Sequence, residues 1–402
     1  MSTLTFSFNP RVEAMQPSAT LAMTARAKQL RREGRPVVGL SAGEPDFDTP
    51  LPIAEAGIQA IREGYTHYTE NAGMPELRER ICRKLRHDNE LAYDPDQILC
   101  SNGAKQSVAL ALAALCRPGD EVLIPAPFWV SYPEMARFAD AEPVTVPTTA
   151  EAEYRLTPEL LEAAITDRTR VLILCTPSNP TGSVYPRAEL EALAEVLRRH
   201  EHVYVLADEI YEHIVFDAEH VSIASMPGMK ERTITVNGFS KAYAMTGWRL
   251  GYMAAELPVV KAAGKIQGQL TSAPSTISQR AGIAALDMDM GPIRQMVQSF
   301  RQRRDFVLGA LTAIEGLRCP KPEGAFYLFP QVDAFFGRHS PGGRRIENGD
   351  DLCFYLLEEH HVALVPGGAF GDPKGLRLSY AASMSNLEEA VRRIETGLAA
   401  LR

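Results

Sequence analysis

Short β-branched runs alternate with turn residues and amphipathic helical stretches through the first two thirds of the chain, and that order leaves few architectures open. The runs are Ile98–Cys100, Glu121–Ile124, Val144–Val146, Val171–Cys175, Val203–Ala207, Thr233–Val236 and Leu250–Ala254. Several are apolar on both faces, as strands of a parallel sheet covered by helices must be. Between them lie helical patterns such as Pro186–His200, where Leu190, Leu193, Ala194 and Leu197 recur at three- and four-residue spacing. This grammar predicts one α/β domain over residues 50–290. Beyond it Pro292–Leu317 reads as one long charged helix, and Ala325–Phe329 and Leu376–Tyr380 read as strands. A last helix is expected to start at Asn386, with Glu389 completing a capping box. Residues 291–402 are therefore expected to form a smaller α+β domain, joined by the N-terminal segment 1–49. Pro341–Asp350 reads as a polar exposed loop.

Composition narrows the function classes. A net charge of −8 over 402 residues argues against a nucleic-acid or anionic-membrane surface as main partner. No apolar run approaches the ~20 residues of a membrane span, and MSTLTFSFNP lacks the basic and apolar regions of a signal peptide. The six cysteines form no CxxC or close pair, which fits small buried thiols in a reducing cytoplasm rather than a disulfide framework or zinc site. His360-His361 and the His200/His202 pair lack a fitting carboxylate or Cys spacing, so no metal site is expected.

In open α/β sheets ligands bind beyond the carboxyl ends of the strands. After Ile98–Cys100 comes Ser101-Asn102-Gly103-Ala104-Lys105-Gln106, then the helical run Ser107–Cys116. A glycine opening a helix can leave N–H groups for a phosphate, or can simply turn the chain. Neither GxxxxGK[ST] nor GxGxxG is present. After Glu121–Ile124 stands Trp129, suited to core packing or to an aromatic plate. Asn179, within Thr176–Gly182, is a turn residue or an amide donor. Asp208 ends a buried run, so it needs a helix N-terminus to cap or a cationic ligand atom to meet. In Thr233–Ala255 the only charged side chains are Lys241 and Arg249. Desolvation lowers a lysine pKa and frees the amine as a nucleophile, while arginine offers a forked phosphate donor. A phosphate cradle, an aromatic plate, an amide, an Asp, a Tyr and a buried Lys together suit one ligand, pyridoxal 5′-phosphate.

With these residues in view, the chain resembles the fold-type I pyridoxal-phosphate aminotransferases of class I/II, and among them the prokaryote-type aspartate aminotransferases. The likeness runs from Arg11–Met15 and Pro17–Thr20 to the last helix. It rests on AGEPDFDTP (42–50), Tyr65–Tyr68, Gly73, Leu77-Arg78, GAKQ (103–106), FWVSYPE (128–134), PSNPTG (177–182), DEIYE (208–212), SKAYAMTGWRLGY (240–252) and GLRLSYA (375–381). The resemblance implies a mostly parallel seven-stranded sheet covered by helices, plus the smaller α+β domain. It implies that Lys241 holds the cofactor through its amine and shuttles protons, and that Asp208 keeps the pyridine nitrogen protonated. Tyr211 and Asn179 would bond the phenolic oxygen, and Trp129 would stack on the ring. Gly103, Ala104, Lys105, Ser240 and Arg249 would hold the phosphate, joined by Tyr68 of a second subunit, which implies a homodimer with shared sites. Arg377, the Gly43 backbone, Asn179 and Trp129 would bind the substrate around its α-carboxylate.

Two positions depart from the pattern. Gly238 stands where some relatives place a phosphate-binding hydroxyl, and Gln16 where relatives that transaminate prephenate carry a basic residue. Lys105 matches a lysine that meets the substrate's distal carboxylate in the resembled enzymes. Gln267–Ala273, where other aspartate enzymes supply a partner's Arg, contains none. The expected activity is therefore ping-pong transfer of an amino group, most simply between aspartate and 2-oxoglutarate, in a cytoplasmic enzyme. Aromatic, alanine or prephenate transamination and C–S lysis on the same scaffold stay open. A cofactor-sensing transcription regulator would need an N-terminal DNA-binding arm ahead of this segment.

Overall fold

The computed structural model describes residues 6–402. Its centre is a seven-stranded sheet in the order Ile98–Ser101, Gly251–Ala254, Thr233–Gly238, Tyr204–Asp208, Thr169–Cys175, Glu121–Ala126, Glu142–Pro147. Only Gly251–Ala254 runs antiparallel to its neighbours. The remaining pairs are parallel; helices lie in the connections between them, except that Tyr204–Asp208 reaches Thr233–Gly238 through a long loop with two short 3-10 turns.

Alternation sets the two faces. Val122, Ile124, Ile173 and Leu206 pack with the helices Ala104–Leu115 and Leu257–Leu270. Leu123, Leu172, Leu174 and Val205 face Leu190, Leu193 and Leu197 of the helix Arg187–Arg199. The inner strands Thr233–Gly238 and Gly251–Ala254 and the edge strand Ile98–Ser101 are buried along their whole length. Tyr204–Asp208, Thr169–Cys175 and Glu121–Ala126 are buried but for one or two half-buried positions, as the two-sided apolar runs require. Glu142–Pro147 is the exception: it is mostly exposed and carries prolines at 143 and 147, which an edge tolerates because one ladder side is unpaired.

The C-terminal third builds a three-stranded antiparallel sheet, Val365–Pro366, Leu376–Ser379 and Tyr327–Leu328. The helices Gly291–Thr312, Gly349–His360 and Met384–Ala399 belong to the same region. The N-terminal segment is tied to it, because Val38–Gly39 pairs parallel with Val362–Ala363 and the Ser379 N–H donates to the Leu40 carbonyl.

Several boundaries differ from expectation. The long helix stops at Thr312, five residues before Leu317, and the chain unwinds through turns to Gly316 at φ +94°. The strand expected at Ala325–Phe329 shrinks to Tyr327–Leu328, with Ala325 at positive φ. The last helix starts at Met384, because the Ser383 hydroxyl accepts from the Asn386 N–H and takes the capping role given to Asn386. The helix expected from Ser107 begins at Ala104. Pro341–Asp350 is not uniformly exposed: Ile346 is fully buried, and Asn348 caps a helix beginning at Gly349. The six cysteines are all free. Among the described residues no helix is long and apolar enough to cross a membrane.

Candidate active site

One pocket of about 310 Å³ opens where the carboxyl ends of the central strands meet the C-terminal region. Eleven predicted residues line it: Gly43, Ala104, Lys105, Trp129, Asn179, Asp208, Tyr211, Ser240, Lys241, Arg249 and Arg377. Gly103 lies just behind it, and Tyr68 does not take part within its own chain, being 94% exposed.

The phosphate-type cradle is built from backbone. Gly103 has φ +86° and precedes the helix Ala104–Leu115, and a Cβ there would meet the Arg249 guanidinium at 2.5 Å. No backbone carbonyl accepts from the Ala104 or Lys105 N–H, so both donors of the first helical turn stay available. Arg249 is itself left-handed (φ 55°), which curls its guanidinium back to the Asn102 and Thr246 carbonyls. Gly251 brings its strand so close that a Cβ would sit 2.3 Å from the Ala104 nitrogen. A hydroxyl side chain, which some of the resembled enzymes carry where this chain has Gly238, could not be added freely: a Cβ on Gly238 would meet Gly251 Cα at 2.8 Å.

At the other end Arg377 is fully buried, donating to Asn179 Oδ1 at 3.0 Å and the Ser41 carbonyl at 2.7 Å. Its Nε has no partner, and neither contact neutralises the guanidinium. A carboxylate would supply the missing charge. Burial pushes its pKa down, so an anion there gains most.

Between these ends Lys241 donates to the Gly43 carbonyl at 2.6 Å. Burial, then the Arg377 charge, lowers its amine to about 8. Asp208 is buried at the end of its strand but caps no helix, as the alternative reading required. Tyr132 donates to Oδ2 at 2.6 Å and the Ile210 N–H to Oδ1 at 3.3 Å. Burial raises the Asp208 pKa while these bonds oppose the rise. The Tyr211 and Tyr327 hydroxyls lie 2.9 Å apart. Lys105 is exposed at the pocket mouth with its ammonium 5.1 Å from the Trp129 ring centre. Burial, then the charge on Arg249, lowers its pKa.

Sequence reasoning gave no role to Tyr132 or Tyr327. Tyr132 sits three residues after Trp129 in FWVSYPE, one helical turn away, and that spacing was the available signal. Tyr327 lay hidden in an apolar strand run. Ser18 and Thr20, at the start of the helix Ala19–Arg32, also line the pocket. The histidines pair locally: His200 with Glu162, His202 with a backbone carbonyl, and His360 with Tyr355.

A fold with a buried lysine, a strand-end aspartate and an arginine-lined pocket defines a class, and the chain belongs to the aminotransferase class I and II family, whose model matches residues 35–394. Among individual proteins it is 55% identical over 400 residues to the bifunctional aspartate aminotransferase and glutamate/aspartate-prephenate aminotransferase of Petunia hybrida, covering 98% of this chain and 84% of that one. It superposes on the crystal structure of the aspartate aminotransferase from Rhizobium meliloti with a TM-score of 0.96 at 46% identity, covering 99% and 100% of the two chains. For the Thermus thermophilus aspartate aminotransferase with maleate the TM-score is 0.91 at 41% identity, covering 98% and 100%.

Proposed function

We propose that this chain is an aspartate aminotransferase that uses pyridoxal 5′-phosphate and works by ping-pong transfer between L-aspartate and 2-oxoglutarate. The carrying observation is the single pocket that holds a backbone anion cradle, a lysine lowered to about 8, a buried strand-end aspartate and a buried arginine with an unpartnered nitrogen. The cradle, the lysine and the aspartate suit the cofactor's phosphate, aldehyde and ring nitrogen, and the arginine is left for a substrate carboxylate. When bound, the cofactor supplies an aldehyde and a protonated aromatic ring that can hold the electrons of a broken Cα–H bond.

The chain's own residues then divide the work. Ala104 and Lys105 N–H groups, with Ser240 and Arg249, fix the phosphate. Trp129 would stack on the ring, while Asn179 and Tyr211 would hold the phenolic oxygen. Asp208 keeps the ring nitrogen's proton in place. Lys241 is the covalent anchor and afterwards the base that moves the Cα proton, a task suited to an amine near neutrality. Arg377 and Asn179, with the Gly43 backbone, orient the α-carboxylate. Lys105 at the mouth then faces the distal carboxylate, with Ser18 and Thr20 beside it. Maleate, with which the Thermus thermophilus neighbour is paired, is a dicarboxylate, and this supports that reading.

Segments 1–49 and 291–402 are read as the smaller domain and 50–290 as the larger, supported by the pairing of Val38 with Val362. Tyr68, exposed on its own chain, is read as completing the site of a second copy in a homodimer. The free cysteines support the cytoplasmic placement. Transfer to prephenate is a second reading, favoured by the names of the Petunia and Cereibacter sphaeroides relatives. Gln16, whose N–H donates to Glu134, speaks against it.

Lys105→Met tests the substrate assignment. Loss of a charged hydrogen bond should lower kcat/KM for aspartate by on the order of 10- to 100-fold, with alanine and aromatic donors changing little. Equal losses for every donor would show that Lys105 serves the cofactor instead.

A further inference from the structure

Beside Asp208 lies a fully buried phenol that donates its hydrogen bond to the carboxylate. Tyr132 is 2% exposed and begins the short helix Tyr132–Phe138, directly after the loop that carries Trp129. Its hydroxyl donates to Asp208 Oδ2 at 2.6 Å, at the short end for two oxygens. Its ring meets Trp129 edge to face, with centroids 5.3 Å apart and planes at 88°. Among the described residues the other hydrogen bond to the carboxylate comes from the Ile210 N–H at the longer distance of 3.3 Å. Cys175, next to Asp208 in strand register, is too weak a donor to replace the phenol.

We propose that Tyr132 is a positioning residue for Asp208: its hydroxyl fixes the carboxylate in its ionised form and so sets how fully the ring nitrogen of the bound cofactor keeps its proton. The inference rests on the functional reading above. Hydrogen bonding to a carboxylate favours the charged form, and burial opposes it. Without the Tyr132 proton the balance tips toward burial, Asp208 gains proton affinity, and the proton it shares with the ring nitrogen moves toward the carboxylate. The same side chain touches Trp129, so the ring-stacking residue and the nitrogen partner are held by one anchor.

The test uses holoenzyme loaded with cofactor carrying nitrogen-15 in its ring. In Tyr132→Phe the nitrogen resonance should move toward the unprotonated position. The half-reaction with aspartate should slow about tenfold, while cofactor affinity and melting temperature stay close to wild type. If Tyr132→Phe does not load, 3-fluorotyrosine at 132 keeps the shape with a more acidic hydroxyl, and should move the resonance the opposite way. A resonance unmoved by whichever variant loads overturns the inference, since a packing role alone predicts no change in nitrogen protonation. That outcome with a loaded, ring-protonated wild type removes only the Tyr132 role. A wild type that takes up no labelled cofactor removes the functional reading and this inference with it.

Discussion

Lys241 and Arg249 are the only charges in Thr233–Ala255, and a lysine in such a segment has little solvent to keep it charged. The folded chain gives the consequence as a number, an amine lowered from 10.5 to about 8 by burial and by Arg377. A lowered lysine pKa means the neutral amine prevails above the folded value rather than above 10.5. Near neutral pH a larger share of Lys241 is then neutral than of an ordinary, solvated lysine. Acylation of Lys241 in the cofactor-free protein, followed by peptide mass spectrometry, should therefore rise with pH to half its plateau near 8. Half-rise above 10 would remove the pocket's effect on this amine. What the sequence hid at this scale was pairing. Nothing in FWVSYPE says that the tyrosine reaches Asp208 some 76 positions on, because that contact exists only once the sheet forms and the tyrosine reaches across the end of the intervening strand Thr169–Cys175.

Among the elements, the strands were legible because burial on both faces writes them as continuous apolar runs, and their ends could be searched for chemistry. Element ends were less legible, since caps compete over single hydrogen bonds: Ser383 outcompetes Asn386, and the long helix ends at Thr312, where the Ala313 N–H turns to the Gly309 and Leu311 carbonyls. An ion pair also locks the turn after the Asp208 strand to the helix Pro75–Asp88. Lys84 contacts Glu212, which accepts from Asn89 at 2.9 Å, and both partners are buried. Burial alone would raise the Glu212 pKa, but the Lys84 charge overrides it and holds the carboxyl well below its usual 4.5. A carboxylate whose folded pKa is depressed adds stability that is fully present above 4.5 and is lost as pH falls toward the folded value. Lys84→Met leaves a buried charge short of its partner and should cost about 3 kcal/mol at pH 7. Glu212→Gln in the same background should recover much of that loss. Denaturant unfolding measures both, and the single variant should show a shallower loss of stability below pH 4.5. A Lys84→Met protein as stable as wild type at pH 7 would mean the pair contributes nothing.

The whole molecule raises the question of its second copy. Tyr68 stands 94% exposed, and Leu51, Ile58 and Ile61 leave an apolar face on the helix Leu51–Arg62. A site that borrows Tyr68 from a partner predicts complementation between two crippled chains. Lys241→Ala and Tyr68→Ala subunits, each nearly inactive, should form mixed dimers in which one of the two sites is intact. Random reassortment of equal amounts makes half the dimers mixed, so about a quarter of wild-type activity should return. No recovery, with mixed dimers confirmed by mass, would show each site complete within its own chain. The reaction itself is tested most directly by initial rates with purified, cofactor-loaded protein, varying L-aspartate at several fixed concentrations of 2-oxoglutarate. Ping-pong transfer predicts parallel double-reciprocal lines, oxaloacetate and glutamate formed in equal amounts, and aspartate ahead of alanine and the aromatic donors in kcat/KM. Release of ammonia without any oxo acid, or a better rate with a donor lacking the second carboxylate, would contradict the account.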